Sequence, residues 1–518
     1  MNKKTRTILI SLVILILALF TAQLLINRAV KNKAEFFLKN RLPDHFTVSY
    51  SDINLKSFSG TITFIDPEVH IQNKTDTITH TIVKANSFII EDVSYWSYLV
   101  RKEIRIEDIK LNDAAITYSK HKFKKSTDTV RKPLAKVFKP ILVQELSIDN
   151  ASLMIYDGTK DSISVSVADI TLEIDDIYID SKTLTRKLPL DYSDYNANGS
   201  DISLKVGNYE RLTLDDFTIT DRKGRFNNIT LNTKYSKADL SNIIPVERDH
   251  FNLAIAAIEI DNPTFGFENS ELFAGANSIT ISKPTLEVYR DKLVTDDNSY
   301  KPLYSKMLRD APINLLVDDV TIKDGSIVYQ EKLKDDNQGG RIEFSALNAS
   351  INKLGNTYPA GDKTALKLTA TFMDNTPIEV DWSFDVNDKN DLFLFKGGMG
   401  KLPGEQMNQF TAPNLNIKLT GETYQTYFTI DGNASKSTID MRMKYDDFEI
   451  EIMRKRGKGI NKLLSKVVNL FIKEDSDDKP TDFREGSGET ERDTTKSFFN
   501  YLWLNLKSGL IATLAGKG

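Results

Sequence analysis

The sequence predicts a mainly β protein that begins with a transmembrane helix and ends in short amphipathic helices. Three observations support this prediction. An uncharged apolar segment lies near the amino terminus, apolar and polar residues then alternate from Thr47 to about Ile452, and helical periodicity follows. At 518 residues the chain is longer than one typical domain, so it holds several domains or one elongated architecture.

The amino-terminal segment is expected to anchor the chain in a membrane. Residues 8–26 (ILISLVILILALFTAQLLI) carry no charge, and as a helix they would rise about 28 Å, close to the roughly 30 Å of a bilayer's hydrocarbon core. A cleaved signal peptide is the alternative, but its best cleavage site, after Ala22, has the bulky Phe20 where a small side chain is needed. We expect a single-pass anchor with residues 1–7 in the cytoplasm and the remainder outside it.

A short helix is expected over residues 27–42, because Pro43 would end it. The β region then extends over residues 43–455, as in TITFIDPEVHI at 61–71. Within it a degenerate unit recurs, in which two alternating stretches flank a turn-forming pair such as Asp-Asn, Asp-Pro or Asp-Gly. The units are ITFIDPEVHI (62–71), IKLNDAAITY (109–118), LSIDNASLMIY (146–156), IEIDNPTFGF (258–267), ITISKPTLEVY (279–289) and VTIKDGSIVY (320–329).

Such pairs supply preset or positive φ, so each unit is expected to be a hairpin of two antiparallel strands. The predicted product is one elongated, mostly antiparallel sheet with an apolar face and a polar face. The apolar face must be covered by something. A sandwich or closed β-helix would bury it against protein, whereas a sheet curled into an open trough would leave it lining a channel for apolar ligands.

Three further segments are expected at the carboxyl end. Residues 456–473 have the apolar stripe of an amphipathic helix, residues 474–494 are acidic with Gly and Ser and are expected to be a linker, and residues 495–518 are expected to form a second amphipathic helix. Either helix could plug an end of the sheet or lie on a membrane surface.

Composition and motifs exclude several classes of function. The 68 basic and 72 acidic residues give a net charge of −4, so no nucleic-acid partner is expected. The chain has no cysteine, which excludes disulfides and thiolate chemistry. The motifs GxGxxG, GxxxxGK[ST], GxSxG and HExxH are absent, and the five histidines are scattered singly. We therefore expect no enzyme activity, no metal and no cofactor.

Both ends of the chain resemble a known family. The predicted anchor is followed by YSDINLKSFSGTITFIDPEVHIQN at 50–73 and ANSFIIEDVSYWSYLVRKEIRIEDIKLNDAAITY at 85–118, an order similar to that of the AsmA-like proteins of Gram-negative envelopes, in particular their DUF748-type branch. TIDMRMKYDDFEIEI at 438–452 and RDTTKSFFNYLWLNLKSGL at 492–510 resemble the carboxy-terminal signature of AsmA-like proteins from Bacteroidetes-type bacteria.

This resemblance implies an open β trough with a hydrophobic interior, as in the bridge-like lipid-transfer superfamily. It also implies anchoring in the inner membrane with the bulk of the chain in the periplasm. The expected function is phospholipid movement between the inner and outer membranes and a contribution to envelope integrity. Membrane phospholipids would be the ligand, and an outer-membrane or periplasmic protein would be a further partner.

Two functions therefore compete. In a lipid carrier, acyl chains would lie against the apolar face and head groups would point toward water. In a scaffold for assembly of outer-membrane or cell-surface components, the same face would be a packed core without lipid. The candidate groove residues share the apolar positions of the predicted strands: Ile62, Phe64, Val69, Ile71, Ile109, Leu111, Ile116, Ile148, Ile258, Ile260, Phe265, Phe267, Ile279, Ile281, Leu286 and Val288.

Overall fold

A computed structural model describes most of the chain: residues 42–56, 58–125, 139–158, 162–268, 271–454, 475–477 and 482–515, with scattered positions between 21 and 38. The predicted membrane anchor over 8–26 lies outside the described residues except for Thr21 and Gln23, and the predicted helix over 456–473 lies outside them entirely. The described positions between 27 and 38 are helical. No helix within the described residues is long and apolar enough to cross a membrane.

The described residues are mainly β, as the alternation predicts. They form 26 strands whose pairing is mixed but mostly antiparallel, together with a few short helices. Contacts divide the chain into two compact units. The first unit comprises residues 1–205 and 214–221, and the second comprises residues 206–213 and 222–518.

The first unit is built almost wholly of strands. A π-helical turn at Ser97–Arg101 and 3₁₀ turns at Lys120–Lys122 and Thr183–Thr185 interrupt them. Its strands are β1 (Phe46–Ser49), β2 (Asp52–Lys56), β3 (Thr61–Ile65), β4 (Glu68–Gln72), β5 (Thr79–Lys84), β6 (Ser87–Glu91), β7 (Ile104–Asn112), β8 (Ala115–Ser119), β9 (Ile141–Tyr156), β10 (Ile163–Ile179) and β11 (Asp194–Val206). The residues of β12 (Glu210–Thr220) are divided between the two units.

In the first unit, two short strands that follow each other in the sequence run in the same direction. β1 pairs with β4 and β2 with β3, β4 pairs with β5 and β3 with β6, and β5 pairs with β8 and β6 with β7, all antiparallel. β7 and β8 then both lie parallel to the single long strand β9, which pairs with β10, and β10 pairs with β11. Each pair of short strands is therefore one long strand with a bend in it.

The predicted hairpins are thus wrong, because the turn-forming pairs bend a strand instead of reversing it. Asp66, Asp113 and Asn150 have φ values of 47°, 53° and 52°, a left-handed conformation that Asp and Asn tolerate. β9 passes through Asn150 without changing direction. One extra residue of this kind forms a bulge, which bends a strand and increases its twist.

Hydrogen bonds across the bends show why the chain does not reverse there. The Asn86 N–H donates to the carbonyl of Asn112 at 3.0 Å, and the Asp113 N–H donates to the carbonyl of Asp149 at 2.9 Å. Adjacent strands bend at the same level, so the ladder of hydrogen bonds continues through the bend. Reversal would break these bonds, which are formed between residues far apart in the sequence.

Within the described residues, the second unit contains the remaining strands and four helices. Its helices are α1 (Lys237–Ile243), α2 (Tyr304–Arg309), α3 (Asn408–Leu415) and α4 (Phe498–Leu514), and a 3₁₀ turn spans Gly404–Met407. Its strands are β13 (Lys223–Thr233), β14 (Asp249–Asp261), β15 (Thr264–Glu268), β16 (Glu271–Ser282), β17 (Thr285–Asp291), β18 (Asn314–Lys332), β19 (Gly340–Gly355), β20 (Lys363–Phe372), β21 (Thr376–Asp385), β22 (Phe393–Met399), β23 (Leu402–Pro403), β24 (Ile417–Gly432), β25 (Lys436–Ile452) and β26 (Arg484–Glu491).

Bent strands recur in the second unit. β14 pairs antiparallel with both β16 and β17, and both of these lie parallel to β18. The bends fall at Asn262, Lys283 and Asp324, whose φ values are 49°, 49° and 54°. From β18 the strands pair antiparallel in the order β19, β20, β21, β22, β24, β25 and β26.

The acidic linker predicted over residues 474–494 is corrected by the structure, because β26 lies inside it. This strand pairs antiparallel with β25, from Lys436 opposite Glu491 to Met443 opposite Arg484. The sequence of this strand (REGSGETE) contains no apolar residue and therefore resembles a linker. The apolar side chains beside it belong to α4 and β25. Helix α4 packs on this strand and on β25, and the glycines leave room for the helix.

Candidate functional site

Apolar side chains form continuous rows across the first unit. Residues opposite each other on neighbouring strands point to the same face of a sheet, so the strand register identifies them. One row crosses seven strands: Ile53, Phe64, Phe88, Leu111, Ile148, Leu172 and Ala197. The adjacent row on the same face is Leu55, Ile62, Ile90, Ile109, Leu146, Ile174 and Tyr195.

The apolar face continues beyond the bend. There a third row consists of Val48, Val69, Val83, Ile116, Leu153 and Val167. At the bend itself Ala85, Ala114 and Ala151 form a buried cluster against Leu111 and other members of the first rows. The extra left-handed residue shifts the alternation by one position, so apolar side chains before and after it lie on the same side. Alanine is small enough to fill the inner side of the bend.

The opposite side of the bend is polar. The Asn86 amide donates to Asp113 at 2.8 Å, and the Asn150 amide donates to the other oxygen of Asp113 at 2.6 Å. The Ser51 hydroxyl donates to Asp66 at 2.9 Å. These side chains are exposed and link neighbouring strands at the bend. Asp66 and Asp113 therefore accept hydrogen bonds that link neighbouring strands.

In the second unit a single apolar row crosses eleven strands. It begins and ends on glycine, and every other member is apolar. In strand order the row is Gly224, Ile260, Ile279, Val320, Ile351, Leu366, Trp382, Phe395, Ile430, Ile439 and Gly488. We call it the long apolar row.

The beginning of the long apolar row is only partly covered, and we call it the open region, although Val320, the fourth member of the row, is already buried there. Ile260 and Ile279 are half-buried. On the same face, Phe265 and Phe267 in β15 expose 52% and 48% of their surface. Large apolar side chains exposed together in this way are typical of a surface that takes an apolar partner.

The end of the long apolar row is closed by α4. Ile430 and Ile439 are completely buried there, in a cluster that includes Tyr501 and Leu502 of the helix. The ring of Phe498 stacks on Trp382 with a centroid distance of 4.8 Å. This region has the filled core of an ordinary globular domain.

Charged groups border the apolar face of the second unit at the strand ends. Arg290 donates two hydrogen bonds to Asp249, at 2.6 and 2.7 Å, and the register places this pair on the same face as Val288. Next to it the Tyr329 hydroxyl donates to Glu331 at 3.1 Å. Burial raises the pKa of Tyr329 far above its ordinary value. The apolar face therefore ends in a polar rim.

Among the described residues, two groups of carboxylates lie close enough together to approach a cation: Glu145 with Glu173 and Asp175, and Asp446 with Asp447 and Asp475. Burial, together with the negative charge of Glu173, raises the pKa of Glu145. Glu145 alternates with the apolar Leu146, so the first group lies on the polar face. Neither group belongs to the apolar rows.

The structure places all sixteen predicted groove residues on described strands. Eight belong to the apolar face of the first unit, and eight belong to that of the second. Phe64 is buried, Phe265 and Phe267 are exposed, and the other thirteen are half-buried. Each set of eight is brought together within its own unit.

Sequence reasoning missed other members of the same rows. Phe88 and Ile90 lie in the short segment SFIIE (87–91), which belongs to none of the repeated units. Val320 and Ile322 were inside a recognised unit but were not named as groove residues. Alternation identifies Val320 and Ile322, whereas Ile89 beside Phe88 and Ile90 obscures which face those two residues occupy.

Comparison with known proteins adds no family assignment. No protein-family model matches the chain, and no curated protein matches it.

Proposed function

We propose that this protein is a non-enzymatic lipid carrier of a Gram-negative cell envelope, and that acyl chains bind against the apolar sheet face. The observation that carries the proposal is the long apolar row. Its side chains continue without a polar interruption from an open region at Ile260 to a covered one at Ile439. An apolar surface of this continuity, half-exposed at one end, suits a long apolar ligand better than a compact one.

The chemistry of the face suits movement of lipid as well as binding. Burying an acyl chain against the apolar face contributes about 0.8 kcal/mol of binding free energy per methylene. This contribution does not depend on the direction of the contact. A row of aliphatic side chains offers an acyl chain nearly equivalent positions, so a lipid could shift between strands at little cost. Head groups would remain at the polar rim near Arg290 and in solvent.

The proposed location follows from the amino-terminal sequence and the resemblance to AsmA-like proteins. An anchor over 8–26 would hold the chain in the inner membrane with its bulk in the periplasm. Lipid would then move between the inner and outer membranes, with an outer-membrane or periplasmic protein as a further partner. No catalytic step is part of the proposal.

The test compares two charges placed on adjacent residues of β17. Leu286 lies on the apolar face, and Thr285 is exposed and does not belong to the apolar rows. Native mass spectrometry of the purified full-length protein should show bound phospholipid. A fluorescent-lipid transfer assay should show loss of transfer for Leu286→Glu and retention for Thr285→Glu. A folded wild-type chain that carries no lipid would support the scaffold function.

A further inference from the structure

An exposed aromatic turn connects β6 to β7 in the first unit. Its sequence, YWSYLVR at 95–101, includes the π-helical turn Ser97–Arg101. Trp96 exposes 67% of its surface, Leu99 75% and Val100 54%, and Tyr95 and Tyr98 each expose 48%. Single exposed apolar residues are ordinary, but five within six consecutive positions form a contiguous patch. We call residues 95–101 the aromatic turn.

The backbone of the aromatic turn is held in place. Ser97 is buried, and its N–H donates to the Ser94 hydroxyl at 3.2 Å. The Lys139 ammonium donates to the carbonyl of Tyr98 at 2.6 Å and lies 3.5 Å from the centroid of its ring. The turn is thus fixed from within while its large side chains point outward.

A further exposed aromatic residue lies on the neighbouring connection between two strands. Phe58, between β2 and β3, exposes 70% of its surface. This connection packs against the segment that leads into the aromatic turn, because the Val93 N–H donates to the carbonyl of Gly60 at 3.2 Å. A Cβ on Gly60 would lie only 2.7 Å from the Val93 carbonyl oxygen, so the two segments are in close contact.

Basic residues lie at the end of the aromatic turn and just after it, between the acidic pairs Glu91–Asp92 and Glu107–Asp108. Residues 94–105 include Arg101, Lys102 and Arg105 but only one acid, Glu103, which lies 3.9 Å from each arginine. Lys139 adds a further positive charge. Trp and Tyr beside Lys and Arg are the residues that proteins place at the interface of anionic membranes.

We propose that the aromatic turn, together with Phe58, inserts into the interfacial region of an anionic phospholipid bilayer. The uncharged segment 8–26 ends shortly before Lys31, and Lys31 donates to Asp52 at 2.8 Å. Asp52 begins β2, whose end leads directly to Phe58. The Lys31–Asp52 contact and the aromatic turn are thereby connected through the short strand β2. The inference rests on the membrane localisation proposed above but not on lipid carriage.

The absence of cysteine allows a direct test on the full chain. Leu99→Cys and the control Leu392→Cys, whose native leucine is 47% exposed in the second unit, would each be labelled with an environment-sensitive fluorophore. Both proteins would be reconstituted into phosphatidylethanolamine–phosphatidylglycerol vesicles containing nitroxide lipid. Quenching at position 99 should be at least about twofold stronger than at position 392. Arg101→Glu combined with Lys102→Glu should reduce the quenching at position 99.

The possible outcomes separate the two proposals. Equal quenching at both positions, in protein that floats with the vesicles, would overturn the insertion and leave the anchor intact. Protection of position 99 from aqueous iodide without lipid quenching would indicate a protein contact and would also overturn it. Protein that does not float with the vesicles would overturn both insertion and membrane localisation. Bound phospholipid in native mass spectrometry has no bearing on any of these results.

Discussion

Ile260 and Ile439 occupy the same apolar row of one sheet but have opposite surroundings. Ile260 is half-buried in a region where Phe265 and Phe267 are exposed, and Ile439 is completely buried beneath α4. Both residues alternate with polar neighbours in the same way along their strands. The comparison shows that alternation specifies an apolar face, and that a separate element decides whether the face is open or covered.

Glycines in β26 and α4 allow the helix to cover this end of the long apolar row. The backbone of α4 approaches so closely that a Cβ on Gly486 would lie 2.3 Å from the Thr513 nitrogen. A Cβ on Gly488 would meet the side chain of Ser508, and one on Gly509 would lie 3.1 Å from Ile439. Buried polar side chains complete the seat, because the Ser437 hydroxyl donates to Asn505 at 2.9 Å. The open region also begins on a glycine, but a Cβ on Gly224 would meet the side chain of Ile260 at 3.3 Å and not the backbone of a helix.

The largest effect on stability is expected when a charged side chain replaces Ile439, and the same change at Ile260 is the comparison. Ile439→Glu would bury a carboxylate without a partner and should cost more than about 4 kcal/mol of unfolding free energy. Ile260→Glu can keep its carboxylate partly hydrated and should cost about 1 kcal/mol while impairing lipid transfer. Thermal melts followed by circular dichroism check both values. Equal, large losses would mean that Ile260 also lies in a closed core.

A smaller effect is expected when a methyl group is added between β26 and α4. Gly486→Ala forces a methyl group against the backbone of α4 and should destabilise the protein by about 2 kcal/mol. Gly158→Ala is the control, since the atom nearest its added Cβ is 3.9 Å away. Denaturant melts of both variants measure the difference. An unchanged midpoint for Gly486→Ala would show that α4 does not need this close approach.

A gain is expected from removing backbone strain at a bend in β19. Ala346, in β19, has φ of 48°, a left-handed conformation that disfavours any residue with a Cβ. Ala346→Gly should stabilise the protein by about 0.5–1 kcal/mol, and Ala346→Val should destabilise it by at least as much. Urea midpoints of the two variants should therefore move in opposite directions. Movement in the same direction would argue against the bend.

Alkaline pH should destabilise the protein only above about pH 10, where two tyrosines with raised pKa values ionise. Burial raises the pKa of Tyr195, in the second apolar row of the first unit, to about 12, and raises that of Tyr289 to about 12. The folded pKa exceeds the unfolded value of about 10. The neutral tyrosine side chains therefore contribute their full share of the unfolding free energy below about pH 10. This contribution is lost as the pH rises toward 12. Melting temperatures against pH should show a shallower alkaline fall for Tyr195→Phe.

Much of the apolar face could be predicted from sequence. The shift in alternation between Ile260 and Phe265, across the Asp-Asn-Pro segment, identifies both as members of one face, and the bulge supplies its physical basis. The direction of the chain at the same segment could not be predicted. A residue that tolerates positive φ suits both a hairpin turn and a bulge, and only the hydrogen bonds of adjacent strands decide between them.

The carboxyl end shows the same division between local pattern and distant contact. A helix is predicted over residues 495–518 from its apolar periodicity, and the structure contains one at Phe498–Leu514. The strand Arg484–Glu491 was expected to be a linker because it is acidic and rich in glycine. Its glycines have a function only when both β25 and α4 are beside it, and neither contact is encoded in the segment itself.

Sequence alone therefore determined that this chain is mainly β, which positions are apolar, and where the backbone can adopt positive φ. These properties depend on single residues and their nearest neighbours along the chain. Tertiary structure decided that the turn-forming pairs bend strands, that the apolar positions join into unbroken rows, and that one end of the long apolar row is covered. Each of these depends on hydrogen bonds and close packing between residues far apart in sequence, as between Ile439 and Gly509.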